Sequence, residues 1–335
     1  MKRIISLLLA LALTLSLTAC TAPAEKADGS KLQIVTTLFP YYDFARAIVG
    51  DRADVTLLLS PGREAHSFEP TPLDAVTISE ADVFLYNGGE GEYWVESMLG
   101  AAGENIAVVA RMMDYVDALN EEYVEGMQGA DGHDHDHEHG SHDDHDHDHE
   151  EDEHDSDEIE YDEHIWTSPK NAVVLCRAVC GAICRADAEN AAFYRANCEN
   201  YCAQLEDLDA RFSVLCESAP RRLLIFADRF PMLYFCREYG LDYRAAFHGC
   251  SGDTEPSLAT IKFLIDKVED EDIPVVYTID FGTKKVAAVV SECTGAAIET
   301  LYSMQTVSRA DFDAGETYLT LMERNYEALR KGLNA

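Results

Sequence analysis

The sequence predicts an α/β protein of two (β/α) lobes, each built on a parallel sheet, with a long helix between them. Three observations carry that reading. Short apolar runs alternate with helical stretches in the first third of the chain, the same alternation resumes near the end, and a long Gly- and Pro-free helical stretch lies between. Apolar runs of this length followed by amphipathic helices are what sheets covered on both faces require.

The first residues stand apart from that pattern. Met1-Lys2-Arg3 is a short basic start, and Ile4 to Leu17 is an almost unbroken apolar run. It is short for a membrane span but suits the core of a signal peptide. Leu17-Thr18-Ala19-Cys20 then looks like a bacterial lipobox, with Cys20 the lipidated first residue of the mature chain. Residues 1–19 are thus expected to be a lipoprotein signal, and the small polar residues 20–30 a tether.

From residue 31, KLQIVTTLFPYYDFARAIVG reads as strand, turn and helix. ADVTLLLSPG is a second strand, and TPLDAVTISEA a helix with Thr71 as N-cap before Pro72. DVFLYNG, EYWVESMLGAAG and NIAVVA add a strand, a helix and a strand. SPKNAVVLCRAVCGAICRA opens with Ser168 and Pro169 in N-cap and N1 positions. These elements place an N-terminal lobe at 31–186, a connecting helix at 187–218 and a C-terminal lobe at 219–335. In the last, RLLIFA, PMLYFCREYG, YRAAF, SLATIKFLIDKVED, PVVYTID and KKVAAVVSECTG resume the alternation, ending in one helix from Phe312 to Leu333.

The N-terminal lobe is interrupted at 131–163 by a tract of histidine and acid. His133, His135, His137, His139, His142, His145, His147, His149 and His154 are interleaved with aspartate and glutamate. So polar a run cannot bury enough apolar surface to offset the entropy of ordering it. Imidazole and carboxylate are both good ligands for divalent ions such as zinc, so these histidines are expected to act as accessory, weak metal sites. Eighteen acidic residues and no Lys or Arg fall in the tract, half of the formal charge of −36. The remainder is still strongly acidic, which argues against nucleic acid as a partner and fits attraction of cations.

Ten cysteines are spaced unlike a disulfide framework. Cys176, Cys180 and Cys184 recur every four residues, as do Cys198 and Cys202, which puts each set on one helical stripe. Residues 176 and 184 would lie about 12 Å apart along a helix, too far for one zinc, so the thiols read as small core residues. Cys250 and Cys293 are separated enough to cross-link two parts of the C-terminal half, and that disulfide is left open.

Three ligand-type residues fall where α/β sheets bind ligands, at or beyond strand ends. They are His66 in SPGREAHSFEPTPLDA, His164 in EYDEHIWTSPKNA, and Asp280 after PVVYTI. Both histidines are framed by proline, aromatic and helix-start residues. Their rings need polar partners to fix them, and Glu64, Glu69, Asp162 and Glu163 are so far only neighbours in sequence.

Here the chain resembles a family. SPGREAHSFEPTPLDAVTISEADVFLYNGGEGEYW and DEHIWTSPKNA closely resemble signature segments of the metal-specific solute-binding proteins of ABC importers. The histidine-rich loop directly before the second segment resembles the zinc-uptake members. The resemblance implies metal bound in the interlobe cleft, with His66 and His164 as ligands and Asp280 at the family's acidic ligand position. It departs in FADRFPMLYFCREYGL, where many members carry a ligand histidine and this chain has none. Asp228 is the nearest ligand-type residue there and His248 its rival as third ligand, while a salt bridge to Arg229 or Arg237 is the structural alternative for Asp228.

A set of two or three imidazoles with carboxylate suits Zn2+ better than Mn2+. The reading is therefore an extracytoplasmic, lipid-anchored, monomeric protein that captures Zn2+ and delivers it to an ABC permease and its ATPase. A zinc-buffering surface lipoprotein or adhesin is the alternative. An exported zinc hydrolase is less favoured, since neither HExxH nor G-x-S-x-G occurs and no enzyme activity is expected.

Overall fold

The computed structural model describes residues 31–65, 68–102, 105–129, 160–251 and 255–334. His66, Cys20, the signal and tether, and all nine tract histidines lie outside the described residues.

The first sheet is formed by β1 (Leu32–Thr36), β2 (Ala53–Leu57), β3 (Val83–Tyr86) and β4 (Val108–Arg111), in the order β2-β1-β3-β4 with every pair parallel. Helices α1 (Phe39–Val49), α2 (Pro72–Ser79) and α3 (Trp94–Ala102) connect these strands. Thr71 caps α2 through a reciprocal capping box with Asp74, and Pro72 occupies the first turn. Helix α4 (Pro169–Ala186) begins at Ser168, whose hydroxyl accepts from Asn171 N–H, and α5 (Ala191–Ser218) runs back along it. Thus the second long helix starts a turn later than residue 187.

The second sheet repeats the topology of the first. Its strands β5 (Leu223–Phe230), β6 (Asp242–His248), β7 (Val275–Ile279) and β8 (Ala297–Leu301) order as β6-β5-β7-β8, again all parallel. Helices α6 (Leu233–Tyr239), α7 (Leu258–Asp270) and α8 (Lys285–Thr294) link them. Two features differ from expectation. AIETL pairs as the edge strand β8, although only one of its five residues is buried, so no apolar run announces it. The final helix is broken into α9 (Arg309–Ala314) and α10 (Tyr318–Leu333) at Gly315, whose φ of +79° ends the first as a left-handed cap.

One hydrophobic core runs from the first sheet through α4, α5 and α10 to one face of the second sheet, and a smaller one lies under α7 and α8. The cysteines of α4 and α5 are buried in this core or at its edge, in line with the core reading. Cys250 and Cys293 are both free thiols, the latter exposed on α8, so the disulfide between them does not form. Among the described residues no helix is long and apolar enough to cross a membrane.

Asp43, 3% exposed, ties three elements of the large core together. Its carboxylate accepts from Tyr201 O–H of α5 at 2.6 Å and from Tyr318 N–H at the start of α10 at 2.9 Å. Removing that acceptor would orphan two buried donors, at a cost of about 1–3 kcal/mol each. Asp43→Ala is therefore expected to lower unfolding free energy by about 3 kcal/mol in urea titration of metal-free protein. A loss below about 1 kcal/mol would mean that the contact does not join these helices energetically.

Candidate metal centre

In each sheet the strand order reverses between the first and third strands, and ligands of open α/β sheets bind outside the carboxyl ends of strands at such points. His164 lies beyond the first sheet, in the segment that leads into α4. The ends of β5 and β7 supply Arg229 and Asp280 from the second.

His164 is 1% exposed. Asp162 holds it twice, its Oδ1 accepting from His164 N–H at 2.8 Å and facing His164 Nδ1 at 3.2 Å. Trp166 packs edge-on against the ring, with centroids 5.6 Å apart. Gly249 lies against the ring's other side, where a side-chain carbon would come within 3.1 Å of it. Burial pulls the imidazolium pKa down, but the Asp162 carboxylate, with Glu163 and Glu121 behind it, lifts it above the ordinary histidine value.

Both lobes grip this segment. From the first, Asn87 Nδ2 donates to Glu163 O at 3.0 Å, and Gly91 N–H donates to Glu163 Oε1 at 2.8 Å. From the second, Tyr234 O–H donates to Asp162 O at 2.8 Å and Tyr318 O–H to Trp166 O at 2.7 Å. Trp166 Nε1–H donates to Ser303 O at 2.7 Å. Two glycines make the first grip possible. Gly88 and Gly89 have φ of +90° and +93°, and a side-chain carbon at Gly89 would fall 2.4 Å from the Glu163 carboxylate. The NGGEG run of the sequence is thus the seat for the acid beside His164.

A small cavity beside His164 is lined by Glu64, Arg229, Phe281, Ser303 and Thr306, among others. Glu64, two residues before His66, forms an ion pair with Arg229 across the cavity. Asp280 accepts from Ser303 N–H at 3.2 Å, the same residue whose carbonyl receives Trp166. Burial, and to a smaller degree the charge of Glu64, raise its carboxyl to about 7 against the pull of the Ser303 hydrogen bonds. Glu64, His164 and Arg229 therefore meet at the cavity, and Asp280 stands next to it, bonded to the lining residue Ser303.

Asp228 and His248 have other partners. Neither Asp228 nor Asp280 lines the cavity itself, and the two differ in what holds them. Asp228 Oδ2 accepts from Thr278 Oγ1 at 2.8 Å and Ile279 N–H at 3.4 Å, and its Oδ1 from Arg229 N–H at 2.9 Å. It braces β5 against β7 beneath Gly282. Arg229 pairs with Glu64 and Arg237 with Glu122. His248 pairs with Glu121 and packs against Tyr123. Both rings act on the Glu121 carboxylate, and Gly249, next in sequence to His248, lies against the His164 ring.

Sequence reasoning named Arg229 only as a salt-bridge partner of Asp228, and it left Glu64 and Asp162 as mere neighbours. The signal for Asp162 was its position two residues before a histidine, where a carboxylate reaches back to the ring. Nothing in the sequence pointed to the Glu64–Arg229 pair.

The family model described as "ZnuA: Zinc-uptake complex component A periplasmic" matches residues 34–332. The chain belongs to this family. It is 32% identical over 313 residues to the "High-affinity zinc uptake system protein ZnuA" of Bacillus subtilis, covering 93% of this chain and 91% of that protein. The "Zinc-binding lipoprotein AdcA" of Streptococcus pneumoniae R6 is 30% identical over 333 residues, which span 99% of this chain and 61% of AdcA. Among solved structures, the "Metal-dependent Lipoprotein YcdH" of Bacillus subtilis superposes with a TM-score of 0.72 at 29% identity, covering 90% of this chain and all of that one. The laminin-binding protein of Streptococcus agalactiae, at 20% identity and a TM-score of 0.70, shares the fold. The family is one of solute-binding transport proteins, and the two parallel-sheet lobes are its architecture.

Glu92 offers a test of the electrostatics behind the histidine segment. Burial raises its carboxyl to about 7, with hydrogen bonds from Thr37 and Gly88 opposing and the Glu163 charge adding. A folded pKa above the unfolded value near 4.3 favours the folded state fully at lower pH, and that advantage is lost as pH rises through about 7. The stability difference between metal-free wild type and Glu92→Gln should shift by on the order of 3 kcal/mol in favour of the variant between about pH 4 and pH 8. A difference that stays constant across that range would show that Glu92 is not a buried, strained acid.

Proposed function

We propose that this chain captures Zn2+ in the cleft between its lobes and passes it to an ABC permease with its ATPase. The observation that carries the reading is His164. It is buried and oriented by Asp162, and it faces a cavity shared with Glu64 and near Asp280. A carboxylate on Nδ1 assigns the metal to Nε2 and raises the basicity of the ring, the usual second contact of a metal-bound histidine. His164 and Asp280 are assigned as ligands, with His66 from its motif. Glu64 takes the remaining place in preference to Asp228, and His248 is its rival. Nitrogen-containing sets of this kind favour zinc over manganese. Four protein ligands leave no position for a catalytic water, in keeping with transport rather than hydrolysis.

The names of relatives support the metal. ZnuA of Bacillus subtilis is named for zinc uptake and AdcA for zinc binding. Lipidation at Cys20, a monomeric state and weak collection of zinc by the histidine tract complete the proposal. On it, the tract gathers ions quickly and the cleft holds one tightly.

Zinc titration in competition with a chromophoric chelator tests the assignment. His164→Ala should abolish the tight site, and Asp162→Asn should weaken it by about 10- to 100-fold, as loss of a ligand's orienting partner does. Asp228→Asn should leave affinity within about threefold, because its carboxylate braces strands. Deleting 131–157 should remove weak sites only. Loss of the tight site on that deletion, or on Asp228→Asn alone, would refute the ligand set.

The same titration run against pH gives a second test. His164 and Asp280 both keep their protons to higher pH than ordinary groups of their kind, and each must lose its proton to bind zinc. Affinity should therefore fall by more than tenfold as pH drops from about 8 to about 6. Affinity independent of pH over that interval would contradict the assignment of these two residues.

A further inference from the structure

Helices α4 and α5 meet through sulfur. Cys176 and Cys180 stand four residues apart on α4, and Cys198 and Cys202 four apart on α5, so each pair occupies successive turns of one face. The short connection at 187–190 folds α5 back on α4 and sets the pairs opposite each other. The single-helix argument, which correctly separates residue 176 from residue 184, could not see this.

The sulfurs of Cys176, Cys198 and Cys202 all lie within 4.8 Å of one another, and all three residues are buried. Cys198 Sγ and Cys202 Sγ are 3.9 Å apart. Four sulfurs bonded to one zinc at about 2.3 Å sit about 3.8 Å from each other, whereas a disulfide bond is about 2.0 Å long. Cys180, also buried, interacts with Cys198 from the adjoining turn but lies outside that group of three, and is the nearest candidate for a fourth ligand. The next cysteine outward, Cys184, has its sulfur 3.9 Å from Cys180 Sγ and 3.8 Å from Ala191 O.

The sulfurs otherwise have helix carbonyls for company, Cys176 O at 3.8 Å from Cys198 and Val173 O at 3.9 Å from Cys202. Hydrogen bonds from Cys176 and Cys198, with Arg177 nearby, hold the Cys202 thiol well below its ordinary value. The neighbouring sulfurs and burial hold the thiols of Cys176, Cys180 and Cys198 well above their ordinary value. Arg177 and Arg195 flank the cluster, Arg177 being itself paired with Glu199 and Glu206.

We propose that Cys176, Cys180, Cys198 and Cys202 form a second metal site, a structural one for Zn2+ that clips α4 to α5. Binding replaces the thiol protons, which leave to solvent, and involves no change in sulfur oxidation state. Because the sulfurs are buried, the ion is taken up as the chain folds, and the clip steadies the helix that follows directly from His164. The site is independent of the cleft.

The test is cobalt substitution of the full mature chain, unfolded and refolded under reducing conditions with Co2+. Cobalt at four thiolates gives intense sulfur-to-metal charge-transfer absorption in the near ultraviolet, which neither the cleft nor the histidine tract can give. Wild type and His164→Ala should both show this band, saturating at one cobalt per chain and bleached by Zn2+. The double variant Cys198→Ser/Cys202→Ser should lose it while keeping cleft binding. Absence of the band in wild type at saturating cobalt overturns the proposal, as does a disulfide among these residues found by mass spectrometry of unreduced, zinc-refolded protein. If the double variant does not fold, these two wild-type readouts decide the matter, and the His164→Ala arm keeps failure of the clip distinct from failure of the cleft.

Discussion

The short buried segment from Asp162 to Ser168 is the constraint on which the rest of the structure depends. Its main chain and side chains receive hydrogen bonds from both lobes, through Asn87 and Gly91 on one side and Tyr234 and Tyr318 on the other. A buried polar segment is stable only when such groups are satisfied, and here neither lobe suffices alone. The same bonds that hold the segment fix the His164 ring, so orientation of the candidate ligand comes with the fold.

Around that ring the cleft concentrates acid. Burial raises Glu163 and takes both Glu92 and Asp280 to about 7, and each also feels another carboxylate nearby. Among the described residues that line the cavity, Arg229 is the one fixed cation, and it pairs with Glu64. Bringing a divalent cation into such a place relieves repulsion that the empty cleft must otherwise meet by protonation. This is the physical ground for reading the site as a cation trap. It also shows why a guanidinium at position 229 is compatible with metal nearby, since its partner carboxylate screens it.

Much of this was legible in the sequence, and the limits have identifiable causes. Apolar runs and capped helix starts at Thr71 and Ser168 marked the two lobes, because buried parallel strands and N-caps leave local signatures. Strand β8 left none, being an exposed edge, and the break before α10 turned on the left-handed conformation of a single glycine. At the site, His164 was visible by its motif, whereas the fate of Asp228 was not. Adjacent residues at a strand end point to opposite sides, so a one-residue uncertainty exchanges a side chain that braces the sheet for one that faces the cleft. The opposed cysteines of α4 and α5 were hidden for a related reason, since spacing along one helix says nothing about what the next helix brings.

The central claim is that one zinc is held in the cleft by His164 and Asp280. A crystal structure of the zinc-loaded mature chain, with anomalous data collected on both sides of the zinc edge, tests it most directly. The account predicts a zinc peak within about 2.0–2.2 Å of His164 Nε2 and of an Asp280 oxygen, with Asp228 still bonded to Thr278. A cleft with no anomalous peak, or a peak bonded to Asp228 and not to Asp280, would contradict it.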